Sequence, residues 1–267
     1  MSYIVAIIPA RWASARFPGK SLHMFSGKPM LQHVWDRCCR CTQIDDVYVA
    51  TDDERIFQAA KHFGAKAFRT SHKHLTGTDR VAEVVAHLPN VTHVVNVQCD
   101  EPTLDPQLLC RITKALHHSQ QLEMVTAAAP FPAFANPSDP HMVKVIVNRQ
   151  GYAVYFSRLA IPFSHFGDST SCRLLHIGVY GFKKSFLLKF ASWKPSPLEE
   201  CEKLEQLRAL ENGTQIQVLL TTQHTASVDT PEDAKSAASI LQKQQQNDLL
   251  SIKLNQKSEE SSYSQKK

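Results

Sequence analysis

No stretch of this chain is long and apolar enough to cross a bilayer. The longest apolar run near its start, Tyr3 to Ile8, covers six residues, where a spanning helix needs about twenty. No cationic segment precedes that run and no small-residue cleavage site follows it, so no secretory signal is expected. Glycine is sparse, nine of 267 residues, and with 43% hydrophobic and 21% charged residues the composition excludes collagen-like, fibrous and disordered classes. Lys/Arg-rich runs are missing as well. The net charge is +5, of which the residues from Leu241 onward supply a surplus of two, so nothing asks for a nucleic-acid partner. The seven cysteines are odd in number and scattered. Cys38, Cys39 and Cys41 cluster, but no second pair or nearby His-x-x-x-His completes a zinc site, which leaves small apolar or surface thiols in a reducing cytosol. Neither a Gly-x-x-x-x-Gly-Lys-Ser/Thr phosphate loop nor a Gly-x-Gly-x-x-Gly dinucleotide turn occurs.

What is present is an alternation of two periodicities. Short β-rich runs fall at Tyr3–Ile8, Val47–Thr51, Lys66–Arg69, His93–Val97, Met124–Ala128, Val143–Val147, Ala153–Phe156, Leu175–Tyr180 and Gln217–Leu220. Helical patterns fall at Met30–Cys41, Asp53–Phe63, Asp79–His87, Pro106–His118, Pro197–Leu210 and Pro231–Gln242. Pro29, Pro106, Pro197 and Pro231 stand near helix starts, where a missing N–H costs nothing, and Gly213 suits a helix end. Strand and helix alternate over the first 120 residues, which predicts βαβ units and a mostly parallel sheet with helices on both faces. The second half has more strand and fewer helices, which predicts a smaller antiparallel addition. One α/β domain over residues 1–241 and a polar tail over 242–267 are expected, the tail too poor in apolar residues to hold itself folded.

Ligands of an open parallel sheet bind beyond the carboxyl ends of its strands, and three such segments carry chemistry. Pro9 to Lys20 follows the first strand and packs Arg11, Arg16 and Lys20 among small residues. Such a loop suits a polyphosphate, although spacing alone leaves a solvated surface loop open. Val94-Val95-Asn96-Val97-Gln98-Cys99-Asp100-Glu101-Pro102 puts Asp100 at a strand's carboxyl edge, where one carboxylate and phosphate oxygens suffice for magnesium. Asp100 or Glu101 could instead cap the next helix, but Asp105 is better placed for that job. Val228-Asp229-Thr230-Pro231-Glu232-Asp233 is, taken alone, a helix cap.

Taken together, these segments and seven more resemble the 3-deoxy-manno-octulosonate cytidylyltransferase (CMP-Kdo synthetase) family. The others are Gly27-Lys28-Pro29-Met30, Ala50-Thr51-Asp52, Gly77-Thr78-Asp79-Arg80, Tyr155-Phe156-Ser157-Arg158, His176-x-Gly178-x-Tyr180, Pro195-Ser196-Pro197-Leu198-Glu199 and Leu204-Glu205-Gln206-Leu207-Arg208. They run in register from about Ile4 to Leu241. The resemblance implies a nucleotide-diphospho-sugar transferase-like fold and a cytoplasmic homodimer that activates Kdo with CTP for lipopolysaccharide assembly. It gives the nucleotide to Ala10, Arg11, Lys20, Thr78, Gln98 and Asp100, and magnesium to Asp100 and Asp229. It gives the sugar acid to Arg16, Arg80, Arg158, His176, Tyr180, Glu205 and Gln206. In that frame Arg11, Lys20, Asp100 and Asp229 carry the chemistry, with no membrane and no nucleic acid involved. A cytidylyltransferase for another acidic sugar, such as a sialic acid, usually differs at Arg16-Phe17-Pro18-Gly19-Lys20. A non-catalytic nucleotide binder would have little use for Arg11, Lys20, Asp100 and Asp229 together. Cys99 stands where the family usually has glycine, Thr76 where serine is common, and Trp12 where tyrosine is usual. Cysteine kept beside intact motifs predicts a negative φ at position 99.

Overall fold

The computed structural model describes residues 2–13, 17–163, 165, 172–223 and 225–244. In chain order its elements are β1 (Ile4–Ala10), a 3-10 turn (Lys20–Leu22), β2 (Met24–Phe25), β3 (Lys28–Pro29), α1 (Met30–Cys39), β4 (Asp46–Thr51), α2 (Glu54–His62), β5 (Lys66–Arg69), α3 (Gly77–Ala86), β6 (His93–Val97) and α4 (Pro106–His118). β7 (Met124–Pro130), β8 (Lys144–Val147), β9 (Ala153–Ser157), β10 (Leu174–Lys183), α5 (Lys184–Ser192), α6 (Pro197–Glu202), α7 (Gln206–Glu211) and β11 (Ile216–Leu220) follow, and α8 spans 231–244.

All seven residues of β1 are buried. Ile4, Ala6, Ile8 and Ala10 join one apolar cluster and Val5 and Ile7 another, the two-residue repeat of a strand covered on both faces. On the first side lie α1, α2, α4 and α8, through residues such as Leu31, Ile56, Ile112 and Ala237. On the other lie α3, α5 and α7, through Val81, Phe186 and Leu207. Sheet order is β11-β7-β10-β6-β1-β4-β5. β1 pairs parallel with β4 and β6, β4 with β5, and β7 with β11. β10 runs antiparallel between β6 and β7, and the antiparallel pair β8–β9 is attached to it. The mostly parallel sheet, its two helical layers and the antiparallel addition in the second half are therefore as the sequence implies. A two-stranded hairpin, β2–β3, lies apart from the main sheet.

Three features differ from the periodicity. The helical pattern 197–210 is two helices, because Lys203 turns into the left-handed region at φ 53. Arg158 makes that break possible: its Nε donates to the Glu202 carbonyl at 2.7 Å and its Nη2 to the Lys203 carbonyl at 3.3 Å. Both carbonyls lie at the end of α6 and would otherwise lack intrahelical partners. β10 runs to Lys183 and α5 begins at the next residue, so no turn or breaker marks the change of period. The last helix continues to 244, where Gln244 donates to the Thr103 carbonyl at 3.3 Å and accepts from Arg37. The rest of the tail, 245–267, lies outside the described residues. Among those residues, no helix is long and apolar enough to cross a membrane.

Arg208 and Glu199 lock α7 onto α6. The guanidinium donates to both carboxylate oxygens, at 2.7 and 2.6 Å, and to the Trp193 carbonyl at 3.1 Å, with both side chains at most 10% exposed. Arg208→Met leaves Glu199 buried without its cation and is expected to lower unfolding free energy by about 3–5 kcal/mol. Urea denaturation at neutral pH measures this, and a loss below about 1 kcal/mol would contradict a tight α6–α7 clamp.

Candidate active site

The loop after β1 closes on itself. Gly19 N donates to the Trp12 carbonyl at 3.0 Å, and Gly19 takes φ 72. A Cβ there would meet the Trp12 ring at 2.9 Å, so both the backbone angle and the space require glycine. This closure starts the 3-10 turn and sends the Lys20 side chain inward. Its ammonium donates to Asp100 Oδ2 at 2.7 Å, to Asp229 Oδ1 at 3.0 Å and to the Val228 carbonyl at 3.2 Å. Burial alone would lower the Lys20 pKa, but the two carboxylates outweigh it and hold the ammonium above its ordinary range. Lys20 is thus charged, and 14% exposed, between carboxylates that are 29% and 33% exposed.

The carboxylates are delivered separately. Asp100 follows β6 on the same sheet edge as the β1 loop, since the two strands run parallel. The helix-capping alternative for Asp100 fails: Asp105 accepts from Gln107 N at 2.9 Å and caps α4. Thr230 plays the corresponding role at α8, exchanging hydrogen bonds with Asp233, while the Asp229 carboxylate turns to Lys20. Two further bonds pin the segments together, Val228 N to the Asp100 carbonyl and Ala226 N to Thr103 Oγ1, both 2.8 Å. Between them lies Glu101, buried and bonded to Thr225, with Oε2 lacking a partner among the described residues. Burial, reinforced by Asp100, pushes the Glu101 carboxyl up to about 8.

Gln98 threads between two glycines. Its Oε1 lies 3.6 Å from a Cβ placed on Gly77, and its Cγ 3.6 Å from one placed on Gly178. Cys99 is buried at negative φ, since Ser26 and Lys203 are the positive-φ non-glycine residues among those described. The backbone thus tolerates cysteine in place of glycine, and burial pushes the thiol up to about 12. Beside this loop runs a polar chain. Asn96 Nδ2 donates to Thr78 Oγ1 at 3.0 Å, and the Thr78 hydroxyl donates to Glu205. Burial raises the Glu205 carboxyl against the pull of Thr78 and Thr76. Tyr180, buried and next to Glu205 in charge, is raised well above its ordinary value. The His176 ring stands 5.4 Å from that of Tyr180 and bonds Thr126 Oγ1 through Nε2 at 2.9 Å.

The structure thus gathers Lys20, Asp100 and Asp229 at one point and joins Thr78, Glu205, Tyr180 and His176 in a second group. Gln206 is buried at the start of α7, Ala10 ends β1, and Arg11 is exposed just beyond it. Arg80 and Arg158 are engaged elsewhere. Arg80 faces Asp52 at 3.1 Å and Thr70, and Arg158 spends its guanidinium on the carbonyls of Glu202, Lys203 and Pro140. Arg16 lies outside the described residues. Asn96 and Thr126 were not among the residues singled out from the sequence. Asn96 was legible as a lone amide in an apolar strand; Thr126 looks like any β-branched strand residue.

A family model described as cytidylyltransferase matches residues 5–216. The 3-deoxy-manno-octulosonate cytidylyltransferase of Myxococcus xanthus is 45% identical over 237 residues, 89% of this chain and 96% of its own length. That of Geobacter sulfurreducens is 44% identical over 242 residues, 86% and 96% respectively. A solved CMP:2-keto-3-deoxy-manno-octonic acid synthetase complexed with CTP superposes with a TM-score of 0.84 at 35% identity, over 91% of this chain and all of that one. A Bacillus anthracis structure described as a putative glucose-1-phosphate thymidylyltransferase shares the fold, at TM-score 0.65 and 14% identity over 89% of this chain.

His176 makes the acid side of the stability profile testable. Burial lowers its pKa from 6.5 to about 3, so the folded ring stays neutral while the unfolded one takes a proton. The corresponding stability is full above pH 6.5 and is lost as pH falls from there toward 3. Urea denaturation across that range should give a shallower decline for His176→Gln than for the wild type. Parallel profiles would show that the folded ring titrates normally.

Proposed function

The chain belongs to the 3-deoxy-manno-octulosonate cytidylyltransferases, and from that premise we propose how its residues divide the work. The enzyme joins Kdo to CTP, giving CMP-Kdo and diphosphate for lipopolysaccharide assembly. The observation that carries the division is the meeting of Lys20, Asp100 and Asp229 at the carboxyl edge of the parallel strands. The anomeric hydroxyl of the sugar acid attacks the α-phosphorus in line, and diphosphate leaves. Little covalent work falls to the protein, so placement and charge neutralisation dominate.

Arg11 and Lys20 take the triphosphate and offset the charge that grows on the leaving diphosphate. Gln98 and Thr78 face the nucleoside, with Ala10 at the strand end beneath it. Asp100 and Asp229 suit a divalent cation, because both already converge on a positive charge, the Lys20 ammonium, while staying partly open to solvent. They would hold magnesium, which supplies charge for the triphosphate and acidifies a nearby hydroxyl. His176, Tyr180, Glu205 and Gln206 serve the hydroxyls of the sugar acid. Its carboxylate calls for a cation among Arg16, Arg80 and Arg158, and the last two must give up protein oxygens to serve. We place the enzyme in the cytoplasm as a homodimer. Exposed Phe134, Leu159 and Phe163, at 95, 72 and 87%, offer apolar surface that a second copy would cover, and sedimentation reports the mass.

Diphosphate release is the test. Turnover is expected only with CTP, Kdo and magnesium together, and equal turnover with N-acetylneuraminate or with ATP would overturn the substrate assignment. Asp229→Asn and Asp100→Asn should each lose turnover by orders of magnitude while keeping the wild-type circular dichroism, because the caps belong to Thr230 and Asp105. Near-normal activity of Asp229→Asn at saturating magnesium would return that residue to a structural role.

A further inference from the structure

β10 carries an irregularity beside the sugar-facing residues. Its pairing with β7 steps from Ile177 opposite Ala127 to Tyr180 opposite Thr126, so Gly178 and Val179 have no partner in that ladder. The Val179 carbonyl therefore needs another donor, and Thr126 Oγ1 supplies one at 2.8 Å, with the Ile177 carbonyl farther off at 3.4 Å. Thr126 is fully buried and has a single hydroxyl proton. That proton goes to the carbonyl, which has no hydrogen of its own to offer. The hydroxyl oxygen can then only accept from His176 Nε2, 2.9 Å away.

One proton placement satisfies all three groups. We propose that Thr126 is a positioning residue that fixes His176 as the Nε2–H tautomer, leaving Nδ1 as an acceptor for a hydroxyl of the sugar acid. Nδ1 has no hydrogen-bond partner among the described residues, and the ring is held edge-on to Phe156 at 5.0 Å and beside Tyr180. Burial keeps the imidazole neutral, so Nδ1 does not acquire a proton at physiological pH. An acceptor at this point favours a ligand that presents O–H and disfavours one that presents only a carbonyl, carboxylate or ether oxygen. The inference rests on the assignment of His176 to the sugar pocket.

Long-range 1H–15N correlation on the full chain labelled with 15N-histidine reads the tautomer directly, with His176→Gln identifying the signal. The expected result is a protonated Nε2 and a bare Nδ1 in the wild type. Thr126→Val, close in shape, should mix the tautomers and raise KM for Kdo about tenfold, with KM for CTP unchanged and Thr126→Ser restoring both readouts. A protonated Nδ1 in the wild type overturns the inference whatever the kinetics. A bare Nδ1 with unchanged KM for Kdo in both His176→Gln and Thr126→Val instead refutes the sugar-pocket assignment of His176, and the substrate half of the inference with it.

Discussion

Two carboxylates cannot be drawn to one point without a cation between them, and the site is organised around that constraint. Asp100 and Asp229 repel at close range, and part-burial strengthens the repulsion because the local dielectric falls. Lys20 turns it into attraction, reaching 80 positions along the chain to one acid and 209 to the other. Three remote segments are brought to the same edge of the sheet in this way. The backbone bonds from Val228 to Asp100 and from Ala226 to Thr103 then keep them there without help from charge.

The antiparallel strand β10 supplies the other half of the cleft. Parallel strands put their loops on one edge, but β10 enters between β6 and β7 in the opposite sense, so its middle rather than its end reaches the Gln98 loop. That is how Gly178 comes to lie against Gln98, and Tyr180 beside Glu205. The bulge breaks the ladder only here, where the bonds it leaves unmade can be remade by a side chain. On the far side Gly181 lies bare under α4, where a Cβ would meet Ile112 at 2.5 Å.

The fold was legible because burial on both faces writes itself into β1, β4 and β6 as near-continuous apolar runs. Boundaries failed where tertiary partners override local preference. Arg158 finishes α6 from 44 residues away, and no window of sequence centred on Lys203 contains it. The meeting of Lys20 and Asp100 was legible for a related reason, since both follow strands that must share an edge. Asp229 was ambiguous from spacing, because an aspartate before Thr-Pro is a good cap, and only the three-dimensional competition with Thr230 decides it. Thr126 left no mark, since its role depends on a carbonyl freed in another strand.

Among the described residues the sheet's last strand ends at Leu220, and Asp229 comes after it. A chain emerging from the ribosome can therefore complete the strand pairings of the described sheet before Asp229 exists outside the exit tunnel. Until α8 docks, Lys20 has one carboxylate to hold and the cleft lacks one wall. The sheet's strands can thus be in place before the core residues of the last segment, Val228, Ala234 and Ala237, arrive to cover its first face.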